Sequence, residues 1–62
     1  MTDKLKAAVL ELAAQPYGAG ARVVLPGFPN GVAEVVHRVP SSVLIRVEEK
    51  PGAKPRFFEV AV

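Results

Sequence analysis

The hydrophobic rhythm of this chain changes once, and the change divides it in two. From Thr2 to Gln15 the apolar positions Leu5, Ala8, Val9 and Leu12 recur at helical spacing, while Lys4, Lys6, Glu11 and Gln15 fall elsewhere on the cylinder. Ala7, Ala13 and Ala14 add helix propensity, Thr2 or Asp3 offers a capping oxygen, and Pro16 stops the helix. The spacing therefore predicts a helix over about residues 3–15. Past the turn Pro16-Tyr17-Gly18-Ala19-Gly20, apolar residues alternate with polar ones, as strands buried on one face require.

The runs Ala21–Leu25, Gly31–Val39, Ser42–Glu49 and Arg56–Val62 read as strands. Between them lie Pro26-Gly27-Phe28-Pro29-Asn30-Gly31, whose Asn-Gly pair suits a turn with positive φ, and Lys50-Pro51-Gly52-Ala53-Lys54-Pro55. In the central hairpin, pairing Val39 with Val43 across Pro40, Ser41 and Ser42 sets His37 opposite Ile45 and Val35 opposite Val47. Val35, His37, Val39, Val43, Ile45 and Val47 then share one oily face. Glu34, Val36, Arg38, Leu44, Arg46 and Glu48 share the other. In the last strand Phe58, Val60 and Val62 point one way and Phe57, Glu59 and Ala61 the other.

No repeat, linker or low-complexity run interrupts this order, so residues 1–62 read as a single small domain, with the helix at about 3–15 and the sheet at about 21–62. The predicted class is α+β: an N-terminal helix followed by a four-stranded antiparallel meander, curled toward a small barrel. Its layout resembles that of SH3-like and Sm-like barrels.

Composition sharpens the expectation. A 62-residue chain sits near the lower size limit for an unaided core, and the absence of cysteine excludes disulfide staples and thiolate metal sites. Half the residues are hydrophobic, so some apolar surface stays outside a monomer and a homodimer is the expected state. The formal charge of +2 and pI near 9.4 favour nucleic acid only weakly, because so small an excess is enough to raise the pI of a short chain. No signal peptide or membrane span is expected, and the chain reads as cytoplasmic.

Candidate chemistry is thin. His37 is the single histidine, but the register surrounds it with Val35, Val39 and Ile45, and Ser41 and Ser42 are ordinary turn residues. Gly18-Ala19-Gly20 follows a helix rather than opening one, and Gly27–Gly31 joins two strands without a placed Lys. No enzyme, cofactor or metal is expected. The mixed sheet face is the better lead. Alternation gives it Arg22, Val24, Val36, Arg38, Leu44, Arg46 and Phe57, an apolar strip bordered by arginines. The loops add Tyr17 and Phe28, whose rings either line a groove or fold back on the core, and a basic tip of Lys50, Lys54 and Arg56. These features point to a small non-enzymatic protein-binding or adaptor module that self-associates through its sheet face. The alternative is a nucleic-acid-binding module in which Arg22, Arg38 and Arg46 neutralise phosphates and exposed aromatics stack on bases. Glu34, Glu48 and Glu59 on the same face oppose it.

Overall fold

The computed structural model describes residues 3–62, so the capping role considered for Thr2 lies outside the described residues. Helix α1 (Asp3–Ala14) carries Asp3 in its first turn, where a carboxylate complements the positive end of the helix dipole. Its buried stripe is Leu5, Ala8, Val9, Leu12 and Ala13. The turn Gly18–Ala21 closes with Ala21 N–H donating to the Gly18 carbonyl at 3.2 Å, and Gly20 takes the positive φ of 93° that this turn requires.

Four strands follow: β1 (Arg22–Val24), β2 (Val32–Val39), β3 (Ser42–Glu48) and β4 (Arg56–Ala61). They form one antiparallel sheet in chain order, β1-β2-β3-β4. The expected curl toward an SH3-like barrel is not there: the sheet is open, with β1 and β4 as free edges. A barrel buries its inner face by folding the sheet on itself. Here α1, packed across β3 and β4, supplies the second layer instead. Leu5, Val9, Leu12, Leu25, Ala33, Val35, Val43, Ile45 and Val47 meet between the layers, and Leu5, Val43, Ile45 and Val47 are completely buried. Each such aliphatic side chain contributes about 1.5–3 kcal/mol on burial.

The β2–β3 hairpin corrects the expected register. Val39 pairs with Ser42, leaving Pro40 and Ser41 as a two-residue turn. A bulge then places Val36 and His37 opposite Leu44, after which Val35 pairs with Ile45 and Ala33 with Val47. The inner face is therefore Ala33, Val35, Arg38, Val43, Ile45 and Val47. His37 and Val39, expected inside, lie on the outer face. The loop between β1 and β2 is two successive turns closed by Phe28 N–H to the Leu25 carbonyl at 3.0 Å and Gly31 N–H to the Phe28 carbonyl at 2.8 Å. Its positive φ falls on Gly27 rather than on Asn30 or Gly31. Gly31 serves a different need: a Cβ there would sit 2.9 Å from the Phe28 Cβ. Among the described residues, no helix is long and apolar enough to cross a membrane.

Candidate interaction surface

With α1 on one side, the other face of the sheet is uncovered, and cross-strand pairing sets its side chains in rows. One row runs Arg22, Glu34, Arg46, Phe57 across all four strands. On one flank stand Val24, Val32 and Glu48; on the other, His37, Leu44 and Glu59, with Val36 beside them in the bulge. Val24 is 68% exposed and Phe57 57%, at opposite edges of the sheet. Val36 is also exposed, and Leu44 half-buried.

The charges on this face largely answer one another. Arg46 Nη2 contacts Glu48 Oε2 at 2.7 Å, and Glu34 lies between Arg22 and Arg46 on the adjoining strands. Glu34 and Glu48 do not face each other as the expected register implied, because the shifted pairing sets Glu34 against Arg46 and Glu48 against Val32. Arg22 and Arg46 thus stand against Glu34, Glu48 and Glu59.

Arg38, expected on this face, is not part of it. It pairs with Val43 and points to the helix side, where the end of α1 meets it. Its Nε donates to the Tyr17 carbonyl at 2.6 Å, and Nη2 donates to the carbonyls of Gln15 at 2.7 Å and Ala13 at 3.4 Å. The last turn of α1 contains no basic residue of its own. Arg38 brings the cation that the negative helix end favours and satisfies carbonyls that the helix leaves without partners.

The loop candidates turn inward or stay solvated. Tyr17 and Phe28 are half-buried and pack against the core, and Lys4 Nζ lies 5.0 Å from the centre of the Phe28 ring. Arg56 stacks over Phe58 at 5.6 Å and reaches Glu49 Oε1 at 3.4 Å. Lys50 and Lys54 are exposed on a turn built by Pro51 and Gly52, whose φ of 79° suits the third position of a type II turn.

No family model, curated protein or solved structure matches this chain. The surface has to be read from its own chemistry. His37 is exposed on the open sheet, next to Val36 in the bulge and opposite Leu44. Among the described residues, no three His, Asp or Glu side chains gather into a cation site.

One feature escaped the sequence reading. A groove of about 340 Å³ runs between α1 and β4, lined by Lys6, Val9 and Leu10 of the helix and by Phe58, Glu59, Val60 and Ala61 of the strand. Its only sequence signal is Leu10, an apolar residue just off the main helical stripe.

Proposed function

We propose that this chain is a small non-enzymatic adaptor that binds protein through the uncovered face of its sheet, with a second copy of itself as the first occupant to test. The carrying observation is the exposure of Val36 and Phe57 beside half-buried Leu44 on the uncovered face, with exposed Val24 across the charged row of Arg22, Glu34 and Arg46. Apolar side chains left exposed beside charges of both signs suit a protein contact of mixed character. The mixed signs of this charged row suit a surface that meets its own image, since each arginine has a carboxylate to find.

Nucleic acid is less well supported. Arg38 is engaged with α1, and Arg46 with Glu48. A phosphate backbone approaching this face meets Glu34, Glu48 and Glu59 alongside two arginines. Sedimentation or light scattering over a concentration series, at low and high salt, tests the proposal. A dimer that persists at high salt and is lost in Leu44→Asp supports it. A monomer at every concentration, together with salt-sensitive binding to single-stranded DNA, overturns it in favour of the alternative.

A further inference from the structure

The free edge of β4 has a defined chemistry. Val62 N–H donates to the Ser41 carbonyl at 3.1 Å, continuing the pairing of Ala61 with Ser42. In an antiparallel ladder the polar groups of successive residues point to opposite sides. Val62, Val60, Phe58 and Arg56 therefore direct their backbone groups to β3, and Phe57, Glu59 and Ala61 direct theirs outward from the sheet. The opposite edge is much shorter: β1 has three residues, and Pro26 follows soon after it. Edges that natural proteins leave long and free of proline are places where another strand can add. Beside this one lies the apolar groove, with Leu10 47% exposed on the helix above it.

We infer that β4 is a docking edge for an extended segment of a partner protein, added antiparallel, with a Lys or Arg opposite Glu59 and apolar residues on either side of it. The side chains of Phe57, Glu59 and Ala61 lie on the uncovered face, as their pairing with Arg46, Leu44 and Ser42 requires. The residue opposite Glu59 shares that face, and a cation there forms a cross-strand charge pair. Its two neighbours turn to the helix side, opposite Phe58 and Val60, and enter the groove beside Leu10.

Charge also argues against a second copy at this edge. Self-pairing across a two-fold axis that engages Phe57, Glu59 and Ala61 together sets Glu59 directly against Glu59 of the second copy. Staggering by two residues relieves the repulsion but leaves one of the three without a partner. A heterologous strand with a basic centre avoids both penalties. This inference does not depend on what occupies the sheet face.

The test uses the full chain labelled with ¹⁵N, titrated with the acetylated, amidated peptide Ser-Thr-Val-Lys-Val-Thr-Ser and with the same peptide carrying Glu in place of Lys. The expected result is saturable shifts of the Phe57, Glu59 and Ala61 amides, with the Lys peptide binding about threefold tighter than the Glu peptide at low salt. Glu59→Lys is expected to reverse the preference. Ala61→Pro removes an outward N–H without touching the ladder to β3, and is expected to fold and lose the binding. Should that variant fail to fold, the Glu59→Lys reversal decides. Unchanged edge amides, or a preference indifferent to Glu59→Lys, overturn the inference. So do edge shifts produced by diluting the chain alone, which would give the edge to a second copy. Shifts confined to Val24, Val36 and Leu44 would overturn it too while leaving the sheet-face reading intact.

Discussion

Replacing Arg38 by Met keeps an unbranched stem and removes the guanidinium that closes the end of α1. The Tyr17 bond, at 2.6 Å, is partly buried, whereas the Gln15 bond, at 2.7 Å, is exposed and the Ala13 contact, at 3.4 Å, is long. A charged hydrogen bond is worth about 1.5–3 kcal/mol, and the Tyr17 bond takes the lower end of that range because burial is partial. Water replaces most of the exposed bond, which leaves about 0.5 kcal/mol for it. Loss of a cation at a helix C-terminus adds about 0.3–1 kcal/mol. The expected destabilisation is then about 2.5 kcal/mol, or roughly 10–20 °C in Tm for a domain of this size. Urea unfolding followed by far-ultraviolet circular dichroism measures it directly, with Arg46→Met and Arg22→Met as comparators expected to lose less than about 0.5 kcal/mol. Arg38→Lys restores part of the loss, since one ammonium cannot span the carbonyls that the planar fork reaches. A change of less than about 0.5 kcal/mol in Arg38→Met, or one no larger than in Arg46→Met, would refute the cap.

Other sites give independent checks by the same unfolding assay. Gly31→Ala is expected to cost about 1–3 kcal/mol, because its Cβ meets the Phe28 Cβ at 2.9 Å and the Leu25 Cβ at 3.0 Å. Gly18→Ala is expected to be neutral or to stabilise by up to about 1 kcal/mol, as nothing lies within 4 Å and its φ is not positive. Gly52→Ala loses about 1 kcal/mol through its φ of 79° despite open space around it. Ile45→Ala, in the centre of the buried layer, is expected to cost about 2–5 kcal/mol and to leave the chain largely unfolded at room temperature.

The helix and strands are legible in the sequence because they rest on local periodicity: Leu5, Val9 and Leu12 mark one, and Val43, Ile45 and Val47 another. The relative phase of β2 and β3 is not local. It turns on whether Ser42 belongs to the turn or to the strand, and on one extra residue, Val36, absorbed in a bulge. A slip of this kind exchanges faces, which is why His37 and Arg38 both change sides relative to the expected pairing. The barrel expectation failed for a different reason. Strand order alone does not say whether a sheet closes or finds its second layer in a helix, and here the apolar stripe of α1 decides. The sheet-face residues Arg22, Val24, Val36, Leu44, Arg46 and Phe57 are legible by simple alternation. Arg38 is not, since its partners Tyr17, Gln15 and Ala13 lie more than twenty positions away.

The placement of α1 across β3 and β4 also bears on how the chain becomes folded. The helix is made before any strand, yet the strands that cover its stripe come late in the order of synthesis. Until β4 has followed, Leu5, Val9 and Leu12 have only part of their sheet to dock on, and an isolated helix of this length is marginal in water. The β1–β2–β3 meander made in the meantime carries its own bare inner face. Helix and meander each leave apolar surface bare until β4 completes the layer, so the last strand is expected to bring the largest gain in order.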